Sequence, residues 1–442
     1  MAVKEIILPR DPSMEQTAAG LSTTKGIEGD LSFSETEKSI LRELAKQVAE
    51  LAVRPIEEQK KELWTNHNDL GEVRPLIFCD PENGWNEIVT QDQILSEQPL
   101  ARVWEMALRK EIFWGTEMGD DRVIEPYFNV PYSYSDSGWG LHEKNIGGED
   151  GGSYVWESPI KNYEADFPKL KFPEIAIDYD MTDHIVALAE EILGGILTVR
   201  LRGIWWWTLG MTWDFIKLRG LNNLMLDMYD HPDWVHKLMK FLSDGLRRKL
   251  DFLEEHGLLA LNIEGAYVGS GGFGWTDQLP GEGFDAGHVR MMDIWGFAES
   301  QETVGVSPEM FGEFIFPYQK PILERFGLNC YGCCEPLDSR WHIVKNIPRL
   351  RRVSASPWAN RARMAEMLGD RYILSLKPAP APLAESKMDE EIVRKTLQEN
   401  LKATKGCRVE VIMKDNHTLG GNPNNAVRWC QIAREEIEKL YN

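Results

Sequence analysis

The sequence predicts an α/β fold, a (β/α)8 TIM barrel with an N-terminal helical extension. Three observations carry this expectation. From about residue 196, short apolar runs alternate with amphipathic helical segments, which implies a parallel sheet. At least six strand candidates follow residue 196 and one or two precede it, a number that suits eight strands closing on themselves. No G-x-G-x-x-G joins a strand directly to a helix, since "GSGGFG" (269–274) opens no clear helix, and this disfavours an open dinucleotide-binding sheet.

Taken in order, residues 1–30 are polar and aperiodic and read as a loose arm. In "SFSETEKSILRELAKQVAELAV" (32–53), Ser34 or Thr36 can cap a helix with Ile40, Leu41, Leu44, Val48 and Leu51 on one face. Residues 1–70 form the arm and helix, and 71–442 the barrel domain. "RPLIFCD" (74–80) suits a buried strand, and the Gly-, Ser- and Tyr-rich stretch 131–165 a loop excursion. "ILTVRLRGIWWW" reads as a strand and "TWDFIKLRGLNNLMLDMYD" as a helix. In the following helix Leu238, Leu242, Leu246, Leu250 and Leu253 form a stripe that Gly257 stops. "LLALNIEG" and "FAESQETVGV" are further strands. Ser307 and Pro308 open a helix that Pro317 and Pro321 kink. "LNCYG", "LRRVSAS", "RYILSL" and "RVEVIM" are strands with helices between, and the last helix presents Ala426, Cys430, Ala433, Ile437 and Leu440 on one face.

Composition narrows the function. A net charge of −21 disfavours nucleic acid and anionic membrane surfaces as partners. Six cysteines in 442 residues are too sparse for a disulfide scaffold. With no leader-like or membrane-spanning apolar run, the reading is a cytoplasmic protein with reduced thiols. Sixteen tryptophans, some in "GIWWWTLGMTW", serve a core or an aromatic-walled pocket. The Gly-rich "GSGGFG" (269–274) opens no clear helix, so a flexible active-site loop is preferred to a phosphate cradle.

A barrel keeps its chemistry at the C-terminal ends of its strands. Those ends carry Glu264, Glu299, Glu302, Cys333, Cys334, Glu335, Ser356, Trp358, Lys377, Asp415 and His417. Alternation puts Tyr331 and Cys333 on one strand face and Cys330 and Gly332 on the other. Cys330–Cys333 is a C-x-x-C within a strand end, not at a helix N-terminus, which argues against a redox motif. Cys333 and His417, from different strands, can converge on a metal with a carboxylate. Small buried hydrophobe is the competing role for the cysteines, and polar loop residue for His417.

The stretches "DHPDWVHKLMKFLSDG", "ESQETVGVSPEMFGEFIFPYQKPILERF", "NCYGCCEPLD", "VSASPWAN" and "KDNHTLGGNPNNAVRW" occur in an ordered series. Over residues 190–442 the chain resembles the uroporphyrinogen decarboxylase superfamily, closest in character to its cobalamin-dependent (corrinoid) methyltransferase branch. The resemblance implies zinc held by a His-x-Cys pair and a Cys after the last strand. Here Cys333 matches, Tyr331 stands at the histidine position, and His417 stands at the last-strand position. It implies a metal set of Cys333, His417 and Glu335, with Glu302 or Glu264 as other carboxylates. Glu302, Asp415 and Glu264 are the expected catalytic groups. Trp206, Trp207, Tyr331, Trp358 and Lys377 are the expected substrate-binding ones. The expected activity is zinc-dependent transfer of a methyl group from a small methylated donor, such as an aryl methyl ether, to cobalamin on a partner corrinoid protein. A homodimer is compatible with it. Two rivals are a metal-free decarboxylase holding a carboxylate on Arg200, Arg202 or Lys377, and a non-catalytic binding barrel. Uroporphyrinogen itself is disfavoured, because Arg74 stands alone and several ligand carboxylates would lie unpaired.

Overall fold

The computed structural model describes residues 31–147 and 154–441. The expected arm over 1–30 lies outside them. Eight parallel strands form: β1 (Leu76–Cys79), β2 (Tyr127–Val130), β3 (Thr198–Leu201), β4 (Trp295–Ala298), β5 (Leu328–Tyr331), β6 (Leu350–Ala355), β7 (Ile373–Leu376) and β8 (Arg408–Met413). Six bond in the order β1-β8-β7-β6-β5-β4, and β2 pairs only with β3. The α/β class with a parallel sheet is as expected, but the wall does not close.

Both open edges are satisfied locally, as buried backbone groups require. At β1, the Asp121 amide donates to Ile77 O (2.8 Å), while the Asp121 and Asp120 carboxylates accept from the amides of Ile77 and Cys79. At β4, the Asn262 side chain accepts from Trp295 N (2.8 Å) and donates to Trp295 O (3.0 Å), and Leu209 N donates to Phe297 O. This explains why "LLALNIEG" is not a strand: its asparagine side chain supplies the contacts a strand backbone would have made. "FAESQETVGV" is also displaced, the strand being the preceding "WGFA" and ending before Glu299.

The helices follow their sequence signals. Helix α1 (Glu35–Ala52) starts at a capping box, Ser34 Oγ accepting from Glu37 N and Glu37 accepting from Ser34 N. Helix α2 (Pro55–Asn68) was not expected; Pro55 opens it as a first-turn proline. The reading of 212–230 as one helix splits at Gly220 (φ +100) into α3 (Thr212–Arg219) and α4 (Leu221–Asp230). Helix α5 (Pro232–Glu255) buries Leu238, Leu242, Leu250 and Leu253. The proline-rich helix is two, α6 (Pro308–Phe314) and α7 (Phe316–Leu323). Helix α8 (Asn424–Tyr441) packs beside β1 through its small-residue face. Residues 131–165 carry parts of two small antiparallel ribbons. Among the described residues no helix is long and apolar enough to cross a membrane.

The interior holds the main surprise. Residues 266–274 form a hairpin, bridged between Tyr267 and Phe273, that is buried inside the sheet's curve. The flexible loop expected for "GSGGFG" is therefore a packed plug. Gly269, Gly271 and Gly272 have φ of +70, +139 and +89. A Cβ on them would lie 2.9 Å from Cys330 Cβ, 2.5 Å from Ile412 Cγ2 and 2.9 Å from the Glu410 carboxylate. Only glycine meets both demands.

Beneath the plug, Arg352 of β6 and Glu410 of β8 form a buried ion pair (Nε–Oε1 2.9 Å), with His67 Nε2 3.3 Å from Glu410 Oε2. Asn68 at the end of α2 donates to the carbonyls of Phe273 (2.8 Å) and Trp275 (2.6 Å) and accepts from Arg352 Nη2 (2.7 Å). Burial opposes the charge on Glu410, but the Arg352 guanidinium outweighs it and holds the carboxyl at about 2. Burial lowers the basicity of His67, the Glu410 carboxylate opposing it. A carboxyl depressed in the folded state adds stability above its unfolded value and loses it as pH falls through the folded one. Arg352→Met is expected to cost about 3–5 kcal/mol by leaving Glu410 charged and unpaired. Arg352→Met with Glu410→Gln should recover part of that. Urea denaturation at neutral pH measures both, and a single-variant loss below about 1 kcal/mol would contradict the account.

Candidate active site

The open side of the wall is a cleft. It lies between the β2–β3 pair, residues 259–269 and β4, and is partly open to solvent. Aromatic residues Tyr127, Trp205, Trp206, Trp295 and Phe297 stand in its lining, beside polar groups that make up most of its exposed surface. The sequence WWW reaches it because Gly203 lets the chain fold back, a Cβ there meeting Trp205 Nε1 at 2.3 Å. Trp205 then donates to Leu258 O (2.9 Å) and packs on Tyr134.

The polar groups of the cleft are Glu111, Arg122, Glu125, Asn129, Arg202 and Asn262. Arg122 pairs with Glu111, and Arg200, at the cleft's edge, with Glu264. The Arg200 guanidinium lies 3.7 Å over the Tyr127 ring. Arg202 donates to Leu261 O (2.8 Å) and has no ion pair among the described residues. Burial, and then the like charge of Arg200, lower Arg202 to about 10. Glu125 rests against Gly265, where a Cβ would sit 2.0 Å from Oε2. Burial raises Glu125 from 4.5 to about 7, the nearby Arg200 and Arg202 opposing it and Glu264 adding to it. An aromatic slot with an unpaired guanidinium and a carboxyl that titrates near neutrality can bind a flat, electron-rich ligand and exchange a proton with it.

The mouth of the open strand wall adjoins the cleft, because Val268 and Phe297 belong both to the apolar cluster that holds Cys333 and to the cleft's lining. β5 ends at Tyr331, and Gly332 (φ +93) turns the chain. That turn breaks the alternation expected for this strand. Cys330 and Cys333 share the inner apolar cluster, whereas Tyr331 faces outward and donates to Gln319 Oε1 (2.7 Å) of α7. Cys333 Sγ is 3.7 Å from Cys334 Sγ, which is 3.9 Å from Asp415 Oδ2. The Cys334 thiol, and then burial, hold Cys333 well above its ordinary range. Lys377 donates to Ser375 Oγ (2.9 Å) and is lowered by burial to about 8.

The remaining expected residues are dispersed. Glu335 is buried and spends both oxygens on the amides of Ser300 (2.8 Å) and Cys333 (2.9 Å). His417 is exposed, with Nδ1 3.4 Å from Asn83 Nδ2. Glu302 accepts from Thr212 Oγ1 (2.6 Å), and burial raises its carboxyl. Trp358 is 72% exposed, while Trp207 is buried against Phe297. Trp206 lines the cleft and Glu264 stands beside it through Arg200. Cys333, Asp415 and Lys377 stand at or just inside the mouth.

A zinc ion held by Cys333, His417 and Glu335 does not fit this arrangement. Both Glu335 oxygens are engaged by backbone amides and His417 is turned to solvent. Among the described residues no group of three or more His, Cys, Asp or Glu side chains is placed to hold a metal. Sequence reasoning missed Glu125, Arg122 and Tyr127. They lie in "DRVIEPYFNV", a stretch too short for a period, where the usable signal was a carboxylate set between apolar Val123–Ile124 and Pro126.

No family model and no curated protein matches the chain. Among solved structures, a methyltransferase from Methanosarcina mazei is similar at 11% identity, over 86% of this chain and 98% of that one, with a TM-score of 0.48. That degree of similarity carries no functional assignment.

A carboxyl raised in the folded state contributes stability at low pH and loses it as pH rises through the folded value. From about pH 5 to about pH 8 the wild type should lose on the order of 2 kcal/mol, after discount for cleft water, that Glu125→Gln retains. Denaturation of both proteins across that range tests this, and parallel profiles would show that the carboxyl is solvated.

Proposed function

We propose that the protein is a methyltransferase that takes an aryl methyl ether in the cleft and passes its methyl group to cobalamin carried by a partner corrinoid protein. The observation that supports it is the aromatic slot with Arg202 and Glu125 at one place. The ordered series of motifs that resembles the uroporphyrinogen decarboxylase superfamily, which includes corrinoid methyltransferases, favours the same reaction class. Tyr127, Trp205 and Trp206 would hold the ring, and Arg202 would steady the charge growing on the ether oxygen as its bond to carbon breaks. Glu125, protonated below about 7, would deliver a proton to that oxygen so that it leaves as a phenol. The partner's corrinoid supplies the nucleophile that accepts the methyl group. No step is assigned to zinc.

Arg202 also favours the decarboxylase reading, since an unpaired guanidinium binds a carboxylate equally well. The two differ in product. The test incubates purified protein with methoxybenzenes, with and without a ring carboxylate, and with free reduced cobalamin as acceptor. Release of the phenol with loss of the reduced corrin's absorption is expected, falling as pH rises above about 7. Glu125→Gln should lower the rate about 10²–10⁴-fold, and Arg202→Met should lower it as well. Corrin-independent release of carbon dioxide from aryl carboxylates would replace this reading with the decarboxylase.

A further inference from the structure

We infer that Cys333 and Cys334 form a thiol-modification site at the barrel mouth, a neighbouring pair that closes reversibly into a disulfide between adjacent residues. The inference is independent of methyl transfer. All six cysteines are free thiols, and this pair has its sulfurs 3.7 Å apart. The two sulfurs also differ in access. Cys334 is partly exposed and its thiol is directed at Asp415 Oδ2 (3.9 Å), while Cys333 is buried within the apolar cluster that includes Val268 and Phe297. The outer sulfur can therefore meet a reagent from solvent, and the inner one can only resolve what forms there. Cys79 and Cys430, by contrast, are both wholly buried, so neither meets solvent.

The reagent is a low-molecular-weight disulfide, R–S–S–R. Cys334 passes its proton to Asp415 and attacks one sulfur, giving Cys334–S–S–R and R–S⁻, which takes that proton. Cys333 then attacks Cys334 Sγ and expels the second R–S⁻, which leaves with the Cys333 proton. The protein loses two thiol protons and two electrons, and the reagent gains both as two R–SH. The sulfurs must close from 3.7 Å to about 2.05 Å. That closure pulls on Cys333, whose amide is held by Glu335 and whose carbonyl accepts from Ser354 Oγ (3.1 Å).

The test uses the full chain and two reagents. After equilibration with oxidised glutathione, peptide mass spectrometry should find a Cys333–Cys334 bond that dithiothreitol reverses. Phenylarsine oxide, which bridges two neighbouring thiols, should bind wild type about 100-fold or more tighter than Cys334→Ser, because the second bond is intramolecular. Cys334 is the partly exposed member at the edge of the apolar cluster, so its serine variant keeps every buried member of that cluster. A glutathione adduct that stops at Cys334, a bond from either residue to Cys330, or equal arsenical affinity in the two proteins would overturn the inference.

Discussion

The rest of the structure depends on filling the inside of a curved parallel sheet that does not close. Six bonded strands bring Cys330, Arg352, Glu410 and Ile412 to one interior, and their side chains alone do not fill it. The 266–274 hairpin does, at a backbone-to-side-chain distance that excludes any Cβ at three positions. Its entry places the Arg352–Glu410 pair in a dry environment, where the two charges must match because neither can turn to water. Helix α2 closes the arrangement from below through Asn68 and His67.

The same opening that demands a plug also creates the cleft. Where β2 and β3 separate from the main sheet, aromatic side chains and guanidinium groups replace strand backbone as the lining. Glu125 owes its unusual proton affinity to this location. It is removed from most water yet only partly neutralised, since Arg200 is engaged by Glu264 and Arg202 by a carbonyl. The chemistry assigned to the cleft thus follows from the break in the wall.

The alternation of apolar runs and amphipathic helices was readable in the sequence because each signal is local: caps such as Ser34, stripes such as that of α5, and strand runs such as "RVEVIM". The open seams were not, because they depend on one asparagine and two aspartates standing in for distant backbone. The fate of "GSGGFG" was hidden for the same reason. Three glycines signal freedom from local constraint, but only the partners Cys330, Glu410 and Ile412 show that the freedom is used for close packing. At the site, the strand-end residues were found as a set, yet Gly332 turned Cys333 inward and left Tyr331 facing outward. Glu125 and Arg122 went unread because their segment has no period.

The plug also sets a schedule for biosynthesis. Asn68 binds Phe273 and Arg352, and Leu70 O accepts from Arg408, 338 residues later in the chain. At roughly 5–20 residues per second, α2 emerges from the ribosome on the order of half a minute before its last partner exists. His67 lacks its Glu410 partner throughout that interval. The polar contacts of His67 and Leu70 are therefore committed to the last strand, and the nascent chain cannot complete them by folding in order of synthesis.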